Sequence, residues 1–150
     1  MKTGIMLLCM LAAFVSCSDL GIELPNPSGS WYLDFVTPVL TSFSKSTITF
    51  SDDGAFERVT TTHFMSGHLL GYAYVGTGRF RVGSSNQLVI IVDRAITIQG
   101  RNVREKPVPF PINPEIETIT FSISENLLKL QYPPCPPNAN CIDELIYKRM

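Results

Sequence analysis

Charge is scarce in this chain of 150 residues: Lys and Arg number 12, Asp and Glu 13, and the net charge is −1. So balanced a composition offers no field for nucleic acid. Alanine is scarcer still past position 16, with only Ala55, Ala73, Ala95 and Ala139, and no helical apolar period runs for long, which argues against helices. His63 and His68 are the only histidines, without a nearby Cys or a firmly placed carboxylate, so no metal site is expected. Ser66-Gly67 lacks the Gly-x-Ser-x-Gly elbow of a hydrolase. Asp52 and Asp53 are explained by the turn they make with Gly54, and no paired carboxylates for acid and base work can be assigned. These absences leave an enzyme the least supported reading and no cofactor expected. Past position 16, no apolar run approaches the roughly 20 residues that span a bilayer as a helix.

What is present begins with an uneven distribution of apolar residues. Mean hydropathy is +0.16 and 45% of the residues are hydrophobic. Residues 1–16 hold much of that excess and only one charge, Lys2. A basic start, a short apolar run and small residues at its end make a secretory signal peptide. Phe14-Val15-Ser16-Cys17 resembles a bacterial lipobox, although such boxes usually begin with Leu. The resemblance implies cleavage before Cys17 and lipidation of that residue by acyl chains such as palmitate. Several chains, at about 0.8 kcal/mol per buried CH₂, would hold the protein stably to a membrane. Residues 17–28, with two Pro and a Gly, read as lipidated Cys and tether, and residues 29–150 as one domain.

That domain reads as strands. Beyond position 16, Val, Ile and Thr together number 32 and aromatics 14. Trp31, Leu33 and Phe35 share one parity; Ile48 and Phe50 alternate with Thr47 and Thr49; and Asp52-Asp53-Gly54 turns the chain into a second strand. Tyr72, Tyr74, Phe80 and Val82 share a parity, with Arg79 and Arg81 on the other side and Gly76 and Gly78 marking a bulge or sharp bend. Further strands follow Gln87, Thr118, Asn126 and Cys141. Eight or nine short antiparallel strands joined by tight turns predict an all-β fold, a small up-and-down barrel without open edges. Residues 100–115, with Pro107, Pro109, Pro111 and Pro114, are expected to form a long connection: either a lid or contact surface, or a stiff spacer across one end.

Gly29-Ser30-Trp31 resembles the Gly-x-Trp opening of lipocalins, and Leu145-Ile146-Tyr147-Lys148-Arg149 is similar to the basic last strand of the wider calycin group. The resemblance covers residues 29–149 and implies that Trp31 plugs one end of the barrel while Arg149 clamps it, a contact worth about 0.5 to 2 kcal/mol. With its leader, the chain looks like the small lipocalin-like domains of bacterial envelope lipoproteins. No Thr-Asp-Tyr motif or helix after the last strand is seen, so the ligands of classical secreted lipocalins do not transfer.

Cys135 and Cys141, with five residues between them, suit a disulfide rather than zinc or thioredoxin chemistry, and an exported setting permits it. Closing so short a loop stabilises by about 2 to 3 kcal/mol. Six basic residues between Arg79 and Lys106 stand against Asp93 and Glu105. Arg79 and Arg81 could receive a carboxylate ligand if they face inward, or anionic lipid or glycan phosphate if outward; the plain alternative is a solvated strand face. Two functions remain. One is a lipid-anchored module of the cell envelope, at the outer membrane, holding a small apolar or amphipathic ligand, with Tyr72, Tyr74, Phe80, Ile119 and Phe121 as lining residues. The other is a non-enzymatic partner-binding protein, such as an assembly factor or hydrolase inhibitor, acting through loops such as residues 100–115.

Overall fold

The computed structural model describes residues 25–36, 41–98, 103–137, 139 and 142–150. The leader, Cys17 and Cys141 lie outside them. Eight strands follow in order: β1 (Gly29–Val36), β2 (Ser42–Phe50), β3 (Ala55–Phe64), β4 (Leu69–Val82), β5 (Gln87–Thr97), β6 (Phe110–Ser124), β7 (Leu127–Gln131) and β8 (Glu144–Arg149). Each is antiparallel to the next and β8 returns to β1, so the all-β fold is a closed up-and-down barrel. This architecture is consistent with a lipocalin-like, calycin-type barrel. Among the described residues, the one short helical turn is Ser84–Asn86.

The two ends of the barrel differ because their connections differ. At one end β2–β3, β4–β5 and β6–β7 are joined by tight turns. In the first of these, the Gly54 amide donates to the Ser51 carbonyl at 2.9 Å and the Ala55 amide to the Asp53 carboxylate at 3.0 Å. This end is closed by Trp31, whose indole N–H donates to the Pro27 carbonyl at 2.8 Å and whose ring faces the Arg149 guanidinium at 5.1 Å. Gly29 explains the opening glycine. Its φ is +121°, and an added Cβ would lie 3.2 Å from Arg149 Nη2, in the space the clamp occupies. Above Trp31 the interior is solid. Ile48, Phe50, Phe56, Leu88, Ile90, Ile119, Phe121, Leu128, Leu130 and Tyr147 are all buried, and Phe80 packs edge-on against Phe50 at 4.9 Å. Eight strands are narrow enough for side chains to fill them, and in this half they do.

Irregular pairing concentrates on β4 and toward the other, open end. Register shifts fall at Thr60/Thr61 and Thr62/His63 against β4, at Thr77/Gly78 against β5, and at Val92/Arg94 against β6. The bend anticipated at Gly76 and Gly78 has a specific cause: a Cβ on Gly78 would collide with the Ile91 backbone carbonyl where β5 carries an extra residue, Asp93. Residues 100–115 are not one loop, because β6 begins at Phe110 and includes Pro111 and Pro114. The prolines are accommodated where the ladder is interrupted: β5 pairs with Glu115 and then with Pro111, skipping 112–114. The segment before β6 lies on the outer wall. Val103 bridges Tyr72, Lys106 Nζ meets Glu57 Oε1 at 2.7 Å, and Arg94 donates to the Pro109 carbonyl. Glu57 alternates with the inward Phe56 and Arg58, so described residues 103–109 run along the outside of β3 to β5.

Candidate functional site

The solid packing of the barrel gives way to polar chemistry at Arg58. On β3, Arg58 shares the inward parity of buried Phe56, and on β6 Glu117 shares that of buried Ile119 and Phe121. Strands on opposite sides of the interior thus aim a guanidinium and a carboxylate at each other. Arg58 Nη1 donates to Glu117 Oε1 at 3.1 Å and Nη2 to Oε2 at 3.2 Å, a bidentate pair whose side chains are 18% and 28% exposed. Arg58 Nε is buried and has no hydrogen-bond partner among the described residues.

Three tyrosines surround the pair. Tyr132 follows β7 with the parity of Leu128 and Leu130, and burial pushes its hydroxyl up to about 12 against the opposing charge of Arg58 and a hydrogen bond from its guanidinium. Tyr147 on β8 lies 3.4 Å from Ser46 Oγ and is likewise raised by burial. Tyr74 on β4 is raised by burial too, with Arg58, Glu115 and Glu117 near enough to contribute. Burial opposes the charge of Arg58 itself, but the Glu117 charge and hydrogen bonds outweigh it, and its pKa is raised. All three phenols are neutral at physiological pH and able to donate. Tyr74 lies folded over Gly76, where any Cβ would collide with its ring, and Gly76 is the register partner of Arg58.

Above this cluster the open end forms a cleft of about 400 Å³ lined by Tyr74, Ala95, Thr97, Phe110, Ile112 and Glu115, among others. Tyr74 lines the cleft and interacts with Arg58 and Glu117, which do not themselves line it, so it links the mouth to the guanidinium. A second depression, of about 840 Å³, is on the outer wall between the β6–β7 face and Pro133 to Cys135, with Thr118, Thr120 and Gln131 on its floor. A third, of about 140 Å³, opens at the β1–β8 seam beside Tyr32, Asp34, Ile146 and Lys148.

Of the lining residues expected from sequence, only Tyr74 reaches the cleft. Tyr72 faces outward because Ala73 is an extra residue: Tyr74 sits opposite Thr60 and Tyr72 opposite Thr61, consecutive residues of β3 and therefore on opposite faces. Phe80, Ile119 and Phe121 point inward but belong to the packed half. Arg79 and Arg81 are exposed and point outward; Arg79, 73% exposed, lies 3.9 Å from Asp93 and does not enter the barrel. Cys135 is disulfide-bonded. His63 stacks on Phe43 at 5.2 Å, contacts Thr61 at 2.9 Å and donates from Nδ1 to the Gly67 carbonyl, while His68 pairs with Ser66. Both serve the β3–β4 hairpin. Among the described residues, no group of three or more His, Cys, Asp or Glu is placed to hold a metal. The Arg58 cluster went unread in the sequence although its parity was available, since Arg58 continues the Phe56 face.

Fold and site together define a closed eight-stranded barrel, filled at one end and carrying a donor-rich polar centre below the other. Comparison with protein families, curated proteins and solved structures gives no match for this chain.

Proposed function

We propose that this protein is a lipid-anchored lipoprotein of the cell envelope, at the outer membrane, whose lipocalin-like barrel carries a small apolar or amphipathic ligand and is not an enzyme. The observation that supports ligand carriage is the incomplete filling of the interior. The cleft at the open end has partly apolar walls, and beneath it stands a guanidinium with one donor unspent. Its volume of about 400 Å³ falls within the range of small-molecule sites. Anchoring rests on the sequence of the leader and Cys17. A partner-binding reading is favoured by a different observation: Phe64, Met65, Phe110 and Ile142 are exposed, and all lie in or beside the connections at the open end. Native mass spectrometry of the purified protein separates the two. A small-molecule adduct that leaves on denaturation supports carriage, whereas the bare mass with a co-purifying protein supports partner binding. Intact mass after metabolic labelling with palmitate tests the anchor: absence of acyl mass on Cys17 rejects it.

A further inference from the structure

The charges facing the cleft select the kind of polar group it can receive. Building on the ligand-carrying reading above, we propose that the open half of the barrel takes an uncharged amphipathic molecule, polar end first, whose ester, amide or ketone oxygen accepts the Arg58 Nε–H. Glu117 occupies Nη1 and Nη2 and leaves Nε without an acceptor in a buried position. A buried donor that lacks a partner rewards an entering oxygen more than a satisfied one does. Tyr74 and Tyr132, the neutral phenols beside the guanidinium, add donors to the same place.

Charge then excludes the alternatives. Arg58 faces Glu117 in the interior, and Glu115, the register partner of buried Val92, lines the cleft, so one cation already stands against two carboxylates. A ligand carboxylate or phosphate would add a third negative charge beside them. An ammonium group would bring no acceptor for Nε. The apolar tail has one direction open to it. Ile90, Ile119, Phe121 and Leu130 fill the barrel below, so the tail lies outward along Ala95, Ile112 and Phe110, with Tyr74 turning aside from Gly76 to admit the head.

The test is calorimetric titration of the purified protein with methyl decanoate, decanoate and decylamine at neutral pH. The ester is expected to bind at least about tenfold more tightly than either charged homologue. Arg58→Lys keeps a cation opposite Glu117 but removes the Nε donor; in variant protein with a native circular dichroism spectrum the ester should lose its advantage over decylamine, while decanoate, opposed by Glu115 and Glu117, stays the weaker ligand. Equal or tighter binding of decanoate or decylamine by the wild type overturns the assignment while leaving ligand carriage standing, and so does an unchanged preference for the ester over decylamine in folded Arg58→Lys. Absence of binding by all three overturns both readings. Should Arg58→Lys not fold, the wild-type ratio alone decides.

Discussion

Arg58 and Glu117 show how a single pair can be structurally demanding without being a large source of stability. Two charges taken largely out of water recover their desolvation only through each other. Glu117→Gln therefore leaves the guanidinium without a counter-charge and is expected to cost about 2 to 3 kcal/mol in chemical denaturation, below the fully buried range because both side chains retain some solvent. Replacing both, as Arg58→Met with Glu117→Leu, is expected to come out within about 1 kcal/mol of the wild type. A double-mutant loss equal to that of Glu117→Gln would show that the pair contributes by more than mutual compensation. The tyrosines carry a pH signature. Tyr132 is raised to about 12 in the fold from an ordinary value of 10.0, so the folded state binds its proton more tightly than the unfolded state does. Its contribution is complete below pH 10 and is lost as pH rises from about 10 to about 12, by up to about 2 to 3 kcal/mol. Tyr74 and Tyr147 shift in the same direction. Denaturation across that alkaline interval should show the decline, and Tyr132→Phe should make it shallower. Alternation puts Arg79 and Arg81 on the face opposite Phe80 but leaves open which face is inside; the barrel turns them outward. Arg58 and Glu117 are separated by 59 positions, and nothing local says that two strands will face across one interior.

At the scale of elements, β4 is where regular alternation breaks. It carries extra residues at Ala73 and Leu70 against β3 and meets an extra Asp93 on β5. Such bulges sharpen strand twist and let a barrel of this size curve. Gly78→Ala should therefore be poorly tolerated: its Cβ meets the Ile91 carbonyl, which is backbone and cannot swing aside, and the expected loss is about 3 kcal/mol. Gly83→Ala is the control. There a Cβ would meet the Gln87 Cβ at an ordinary 3.6 Å, φ is −98°, and the change should stay within about 0.5 kcal/mol. Equal melting temperatures for the two variants would reject the close approach at Gly78. Most strands were legible because their period of two survives over five or more residues. Tyr72 shares the sequence parity of Tyr74 yet stands on the other face, because one extra residue inverts parity and a bulge at Ala73 leaves no composition signal. The β6 prolines concealed the start of a strand for a related reason: proline excludes a regular central ladder, not an interrupted one.

The whole molecule is closed by its weakest ladder. β1 and β8 pair only through Trp31 with Arg149 and Tyr32 with Lys148, supplemented by the Met150 amide to the Ser30 carbonyl at 3.0 Å. Beyond that point the strands part at the small depression beside Asp34 and Ile146. Neighbouring hairpins such as β2–β3 are paired along nine positions. Hydrogen exchange should consequently begin at those amides of residues 33–35 and 145–147 that point into the seam, ahead of the amides of β2 to β5. Uniform protection around the barrel would contradict this. The clamp of Arg149 on Trp31 then acts where closure is thinnest, which gives the two terminal motifs a shared physical purpose.

Composition and alternation by themselves determined the class of this protein: few alanines, many β-branched and aromatic residues and frequent tight turns admit little besides a small antiparallel barrel. They also placed Trp31 and Arg149 on strands at the two chain ends. Tertiary structure decided which inward positions are packed and which are open, because the interior is shared by all eight strands and filled by side chains whose neighbours are remote in sequence. It alone brought Arg58 to Glu117 and the tyrosines. The hydrogen bonds of a charged group depend on what lies across the barrel, and strand periodicity reports only the side on which each residue stands.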